Sequence, residues 1–301
     1  AGSLVGFLFP FIFTWIGISN IAPQGVVPDS VIYSFYIGAA ILILCVIYTT
    51  VKVKEMPPAE YAEYHGITEE EKKEKINMVK LLVKAPKAFW TVGLVQFFCW
   101  FAFMFMWTYT NGSVAANVFD APTVETVVNG ANKVVLDTKS IQYQNAADWV
   151  GVLFAVQAIG SVLWAVCIPM FKNRKLIYSL SLVLGGIGFI STYFVHNQYV
   201  LFISFLLIGC AWAAMLALPF TILTNALSGG HMGTYLGLFN GTICIPQIVA
   251  ATLGGSILAL FTPKGMLPPE INMLVMAGVM LIIGAVCVYL IKETKGEQAK
   301  A

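Results

Sequence analysis

The stretch TNALSGGHMGTYLGLFNGTICIPQIVAATLGG, from Thr224 to Gly255, decides the fold class of this chain. It holds a polar turn, glycines four residues apart, two amides and a proline inside an apolar run. Small residues let membrane helices approach closely, and amides are costly in hydrocarbon unless they find a partner. The stretch therefore predicts two packed membrane-spanning helices joined by a short turn, with polar side chains on the second helix.

The composition of the 301 residues indicates a polytopic membrane protein. Hydrophobic residues make up 58% of the chain and charged residues 11%, and no charge occurs from 176 to 263, which is far from the usage of soluble proteins. A spanning helix needs about 20 apolar residues, and long unbroken runs favour helices over the short alternating segments of membrane strands. We expect an all-α fold with eight membrane spans, at 2–20, 31–51, 88–110, 149–171, 176–196, 199–227, 233–262 and 271–291.

The distribution of lysine and arginine predicts the orientation in the membrane. Fourteen of the 17 basic residues fall in 52–87, 172–175 and 292–301, and eight spans place these three segments on one side. By the positive-inside rule that side is the cytosol, so both termini are expected there. The expected location is the inner (plasma) membrane of the cell.

Several classes of function are disfavoured by the sequence. A net charge of +2, with the basic residues confined to loops, does not indicate nucleic-acid binding. All six cysteines fall inside predicted spans without a CxxC pair, so buried structural thiols are expected rather than disulfides or a metal site. Neither H-E-x-x-H nor G-x-S-x-G occurs, so no enzyme, catalytic residue or cofactor is predicted.

The spans form two groups on either side of a basic segment. Thr68 and Glu71 give that segment a capping box, which an amphipathic helix at the membrane surface follows. A short strand is expected at 134–136. The predicted organisation is two helices, a cytosolic linker, six helices interrupted by an insert on the other side, and a cytosolic tail, at 1–51, 52–87, 88–292 with the insert at 111–148, and 293–301.

A weak internal repeat points to a larger architecture. The pattern G-x-x-x-G-x-x-x-P at 2–10 is similar to G-x-x-x-G-x-x-x-x-P at 237–246, and each lies in the second-last helix of its group. Two parallel six-helix repeats would leave the first repeat without its opening four helices. We therefore expect a fragment of a longer protein, or an unusual protein with two plus six helices.

Three features together resemble the C-terminal two-thirds of a major facilitator superfamily transporter: the two-plus-six layout, the long basic middle segment and the short turn FKNRK at 171–175. Two segments, QFFCWFAFMFMWTYT at 96–110 and TNALSGGHMGTYLGLFNGTICIPQI at 224–248, are similar to the sucrose-transporter-like, or glycoside–pentoside–hexuronide, sugar:cation symporters. The similarity is nearest to bacterial maltose-type members. The turn departs from the family pattern because Asn173 stands where an aspartate is usual.

The resemblance implies a fold and a function. The eight spans would be helices five to twelve of twelve, and the protein would import a sugar, with a disaccharide such as maltose favoured, together with a proton or cation. Transport would proceed by alternating access around a midplane site in the bilayer. The partners implied are the sugar, the coupling ion and the lipid, and the expected state is a monomer. The alternatives are an exporter of a drug-like or lipid substrate and a non-transporting membrane scaffold.

Sugar recognition needs amides for the hydroxyls and aromatic rings for the apolar face of the sugar. Candidate side chains lie on one helix face within each of three spans. On the span 199–227, Trp212 is nine residues before Thr221 and lies on a different face of a regular helix. The alternative role for the amides is hydrogen bonding between helices without ligand contact. The expected substrate-binding residues are Gln96, Trp100, Trp107, Gln157, Trp212, Asn240 and Gln247, with Ser161 and Trp164 on the face of Gln157.

A second set of residues is expected to act in gating or helix packing. Glycines would permit close sliding contact, a proline would bend its helix, and an amide near the cytosolic end would serve a gate or a helix cap. These residues are Gly233, Gly237, Gly241, Pro246 and Asn225. No aspartate or glutamate lies deep in a predicted span, and Asp148 is expected to be solvated at a membrane edge. Any coupling carboxylate is therefore expected in the opening helices that the repeat implies are missing.

Overall fold

The fold is helical apart from one β-hairpin, in a computed structural model that describes residues 2–20, 27–54, 56–57, 60, 64, 78–128, 131–227 and 232–291. Within these ranges, seven helical segments are long and apolar enough to cross a membrane, and the expected all-α polytopic fold is confirmed. The elements in chain order are α1 (Gly2–Trp15), α2 (Asp29–Lys52), α3 (Met78–Val83), α4 (Lys87–Asn117), β1 (Thr123–Val128), β2 (Ala131–Leu136), α5 (Ile141–Cys167), α6 (Arg174–Ser191), α7 (Leu201–Ala226), α8 (Met232–Phe239), α9 (Gly241–Phe261) and α10 (Ile271–Cys287), with single 3-10 turns after α5 and α10.

The first predicted span is too long. Helix α1 ends at Trp15 rather than at residue 20, because Gly17 adopts a positive φ of 94° that continues no right-handed helix. The amide of Ile18 then folds back to the carbonyl of Phe13 at 2.9 Å. The described α1 is therefore shorter than the helices that qualify as full spans.

The predicted insert at 111–148 is mostly regular structure, and helices extend into it from both sides. Helix α4 continues to Asn117, and the hydroxyl of Ser113 bonds the carbonyl of Tyr109 within it. Helix α5 begins at Ile141 with Ser140 as its N-cap. Between them, β1 and β2 pair as an antiparallel hairpin in which Val124 faces Val135, where a single strand was expected. We call the end of the bundle that carries this hairpin the hairpin end.

Asparagine side chains mark two helix boundaries, one in the turn before α7 and one as the N-cap of α6. The side-chain oxygen of Asn197 accepts from the amides of Tyr199 and Val200 just before α7, which confirms the predicted break between the fifth and sixth spans. The side-chain oxygen of Asn173 accepts from the amides of Lys175 and Leu176 at 3.1 Å each. The asparagine in the FKNRK turn therefore serves as the N-cap of α6.

The core lies in a bundle of α4, α5, α6, α7, α9 and α10, and small residues let these helices approach closely. A Cβ added at Gly185 would overlap the Cβ of Ala211, and one at Gly209 would overlap the carbonyl oxygen of Gln157. A Cβ at Gly278 would lie 2.7 Å from the carbonyl oxygen of Gly186. Glycine is thus required where α6 meets α7 and α10, and where α5 meets α7.

The glycine ladder of the opening stretch does not pack in this way within the described residues, so its role in gating or packing stays a prediction. A Cβ added at Gly233 or Gly237 would meet nothing within 4 Å, and one at Gly241 would meet only Ile245 of its own helix. The predicted span 233–262 is also interrupted, because α8 ends at Phe239 and α9 begins at Gly241. Pro246 is buried within α9.

The two helices before the linker differ in how they are packed. Helix α1 lies against α5, whereas α2 contacts α1 and is largely exposed. Cys45 on α2 and Cys244 on α9 are exposed, and only Cys99 and Cys210 are buried, so the expectation of six buried thiols was wrong. The polar turn 228–231, most of the linker with its capping box, and the tail lie outside the described residues.

Candidate functional site

Three tryptophans from two helices meet at the interface of α4 and α7. The ring centroids of Trp100 and Trp107 lie 6.4 Å apart, as their shared face predicted. The ring of Trp212 lies 5.8 Å from both, with interplanar angles of 78° and 81°. Helix periodicity places Trp212 and Thr221 on different faces of α7. The face that carries Trp212 contacts α4, so Trp212 meets the other two tryptophans. We call these three residues with Phe103 the Trp cluster.

Phe103 backs the Trp cluster on its core side. Its ring lies 4.9 Å from that of Trp212 and 5.8 Å from that of Phe189. Trp100 is 8% exposed, whereas Trp107 is 38% exposed. The cluster therefore has one side packed in the bundle and another that presents an indole outward.

The buried indole of Trp100 carries an unused donor. Its Nε1 has no hydrogen-bond partner within the described ranges. A buried donor without a partner costs about 1–3 kcal/mol, and a ligand hydroxyl would recover that free energy. The indole of Trp100 is therefore a buried orphan donor at the side of an aromatic cluster.

Gln96 lies one helical turn before Trp100 and is fully buried. Its Nε2 donates to the carbonyl of Met215 on α7 at 3.2 Å, so one half of the amide joins the two helices. Its Oε1 has no partner among the described residues. Gln96 therefore fulfils the alternative role of a bond between helices while keeping one acceptor unused.

The candidates on α5 lie at a helix contact. Gln157 is buried, and its carbonyl borders Gly209 of α7. The Nε1 of Trp164 donates to the hydroxyl of Ser181 on α6 at 2.8 Å. Trp164 thus holds α5 to α6.

The amides of the opening stretch stand apart from the Trp cluster in their environment. Asn240 is exposed at the break between α8 and α9, and Gln247 is half-buried beside Pro246. Neither side chain hydrogen-bonds to another part of the chain that the structure describes. Asn225 is exposed near the end of α7. The side chains of these three residues therefore have no hydrogen-bond partner among the described residues.

Sequence reasoning missed the environment of two carboxylates at the hairpin end. Asp148 was expected to be solvated, but its Oδ2 accepts from the Nδ2 of Asn20 at 2.7 Å. The same contact region brings Gly151 of α5 against the backbone oxygen of Phe7, so Asp148 fixes α1 to α5. The sequence signal for this contact was Asn20, which follows the glycine that ends α1. An amide at that position can bond to the end of a neighbouring helix.

The second missed carboxylate is Glu270, the residue before α10. It is largely buried in a polar cavity between α4, β2 and the loop that precedes it. Pro268 and Pro269 before it predicted a loop, and a glutamate in a loop is normally solvated. Only the packing of the insert onto α4 encloses it.

Comparison with known proteins agrees with this helical architecture. A family model described as Major Facilitator Superfamily matches residues 118–301, which is more than half of the chain. No curated protein matches the chain. The protein is a multi-pass membrane protein, and the family is one of membrane transporters. The chain belongs to the major facilitator superfamily.

Proposed function

We propose that the protein is a secondary active transporter that imports a sugar, with a disaccharide such as maltose as the expected substrate, together with a proton or another cation. Family membership supports a transporter. The resemblance of 96–110 and 224–248 to sugar:cation symporters supports the sugar. The observation that carries the proposal is the Trp cluster, which gathers three indole rings from α4 and α7.

The chemistry of the Trp cluster suits a sugar. Indole faces and edges pack against the apolar C–H face of a pyranose ring, and amides and N–H groups satisfy its hydroxyls. The Nε1 of Trp100 and the Oε1 of Gln96 supply one unused donor and one unused acceptor on neighbouring turns of α4. The proposed substrate-binding set is Gln96, Trp100, Trp107, Gln157, Trp212, Asn240 and Gln247.

Alternating access supplies the mechanism of the proposal. The helices of the 1–51 segment would rock against the bundle of 88–292. The contact between α1 and α5, with Asn20 on Asp148 at the hairpin end, would open in one state and close in the other. The moving helices would meet the open faces of Gly233 and Gly237. They would also meet Gly241, Pro246 and Asn225. In this proposal the protein is a monomer in the inner membrane, with both termini of the chain in the cytosol.

Uptake of radiolabelled maltose by the full chain in proteoliposomes tests the function. An inward proton gradient, an inward sodium gradient and no gradient are compared, with sucrose, lactose and glucose as competitors. The proposal expects gradient-driven, saturable maltose uptake that at least one other sugar inhibits. Replacement of Trp212 by Ala should strongly lower this uptake, whereas Trp90→Ala should not, because Trp90 is 52% exposed outside the cluster.

The rival functions predict other outcomes. An exporter of drug-like or lipid substrates would move none of the sugars and would release a hydrophobic dye from loaded vesicles. A non-transporting scaffold would show neither activity in correctly folded protein. Either result would replace the sugar proposal.

A further inference from the structure

A polar cavity of about 320 Å³ lies at the hairpin end, and none of its lining residues belongs to the Trp cluster. Four elements enclose it: the last turns of α4, strand β2, the first turn of α5 and the loop before α10. Its polar groups come from Asn111, Thr138, Tyr143 and Glu270, among others. The volume falls within the size range of small-ligand pockets, about 300–1,000 Å³.

The Glu270 carboxylate fits in this cavity because the residue that it contacts on α4 is a glycine. A Cβ added at Gly112 of α4 would overlap the Glu270 carboxylate, so the carboxylate lies directly on the helix backbone. Burial raises the pKa of Glu270 to about 7. The carboxylate forms no hydrogen bond or ion pair with other side chains that the structure describes.

A second oxygen in the cavity is also without a partner. The Nδ2 of Asn111 donates to the hydroxyl of Tyr143 at 2.9 Å, which fixes the orientation of the amide. Its Oδ1 is buried and has no partner among the described residues. The cavity therefore presents the Glu270 carboxylate, and one of its lining residues also carries a buried amide oxygen without a partner among the described residues.

No cationic side chain among the described residues lines the cavity. The charged residues on or beside these elements at the hairpin end are Asp120, Lys133, Asp137, Lys139, Asp148 and Lys264, and none of them is part of the lining. The other titratable groups near Glu270 are the phenols of Tyr109 and Tyr143, which carry no positive charge. The negative charge of Glu270 is thus uncompensated within this part of the chain.

We infer that this cavity binds a small monovalent cation, of the sodium or potassium class, between the carboxylate of Glu270 and the Oδ1 of Asn111. A buried carboxylate is costly unless a positive charge compensates it, and hard cations prefer oxygen ligands such as carboxylates and amide carbonyls. One carboxylate balances one positive charge. At about 30 Å³ per water, the cavity has room for an ion that keeps several waters.

The proton competes with this cation for the same carboxylate. Because the pKa of Glu270 is about 7, the charged form that binds the ion predominates at pH 8 and is the minor form at pH 6. Apparent cation affinity should therefore be about tenfold higher at pH 8 than at pH 6. The site stands whether or not the transported molecule is a sugar, because it rests on the cavity alone.

Direct ion binding to the purified full chain tests this inference. Binding of ²²Na⁺ and ⁸⁶Rb⁺ is measured at pH 8 and pH 6, with N-methylglucamine chloride keeping the ionic strength constant. We expect saturable binding of at least one ion, weaker by about tenfold at pH 6. Glu270→Gln should weaken binding at pH 8 at least tenfold and abolish its pH dependence.

Two matched controls separate the site from general effects. Gly112→Ala should weaken binding because the new methyl group displaces the Glu270 carboxylate, whereas Gly255→Ala should not, since a Cβ there meets nothing within 4 Å. Glu125→Gln removes an exposed carboxylate from β1 and should leave binding unchanged. Absence of saturable binding of either ion, or equal binding by Glu270→Gln, would overturn the inference.

Discussion

The indole rings of Trp100 and Trp212 meet edge to face, with their centroids 5.8 Å apart and their planes at 78°. One ring comes from α4 and the other from α7. One turn away on α4, Gln96 bonds the α7 backbone at Met215. The distance between the two rings therefore depends on how α4 packs against α7. A ligand that changes this distance would also change the packing of α4 against α7.

Loss of the Trp212 ring is expected to impair transport without unfolding the protein. Aromatic pairs contribute about 0.5–1.5 kcal/mol beyond area burial, and Trp212 contacts three other rings. Trp212→Ala should lower the initial rate of sugar uptake about tenfold or more at substrate concentrations below KM. Trp212→Phe should retain more activity than Trp212→Ala. An uptake rate for Trp212→Ala equal to that of Trp90→Ala would contradict this role.

The helix contacts predict which glycines tolerate a methyl group. Gly209→Ala places a Cβ against the Gln157 carbonyl and should separate α5 from α7, with a loss of about 1–3 kcal/mol. Gly233→Ala places a Cβ where nothing lies within 4 Å and should leave stability unchanged. Thermal unfolding of both variants in one detergent, followed by tryptophan fluorescence, compares them. Equal Tm values for the two would show that the α5–α7 contact is looser than described.

The Asn20–Asp148 contact should report on alternating access. Cysteines at both positions, in a background without the six native cysteines, should be joined by a short bifunctional thiol reagent because the two side chains are 2.7 Å apart. The cross-link should stop transport, and a reagent with a reducible spacer should allow recovery after reduction. Full transport by cross-linked protein would mean that α1 and α5 do not separate at the hairpin end.

The pH dependence of stability follows from the pKa of Glu270. The folded pKa is raised from 4.5 to about 7, so the folded state binds this proton more tightly than the unfolded state does. Stability in sodium- and potassium-free buffer should therefore fall as the pH rises from about 4.5 to 7, and change little above that. With allowance for partial screening, the effect is about 1–2 kcal/mol.

A matched variant isolates the contribution of Glu270 to the pH dependence of stability. Glu270→Gln should show a flatter dependence of Tm on pH between 5 and 8, whereas Glu125→Gln should retain the wild-type slope. A wild-type Tm that rises through this range by the amount removed in Glu270→Gln would reverse the sign and contradict the assigned pKa.

The sequence predicts the helical fold because hydrocarbon imposes a strong and local constraint. Long uncharged runs and asparagine at turns locate most helices within a few residues, and Asn197 marks a break that hydropathy alone does not show. The bounds of α1 and α4 are less predictable. Gly17 ends one helix early by its backbone conformation, and α4 continues through Asn111, Gly112 and Ser113 to Asn117 although these residues predict a loop.

The candidate site is predictable only in part, because helix phase gives faces but not the packing between helices. The shared face of Trp100 and Trp107 follows from their spacing of seven. The contact with Trp212 requires the docking of α7 on α4, which no local pattern encodes. For the same reason the sequence does not show which glycines lie at a close contact. The glycines of the opening stretch have open faces, whereas Gly112, which lies against Glu270, carries no pattern that marks it.

Equilibrium binding of maltose to the purified full chain, measured by isothermal titration calorimetry, tests most directly whether the Trp cluster holds the sugar. The account predicts saturable binding by the wild type and by Trp90→Ala, and loss of that binding in the double variant Trp100→Ala/Trp212→Ala with its helical content intact. Binding by the double variant with wild-type affinity, or no binding of maltose or any competing sugar by the wild type, would contradict it.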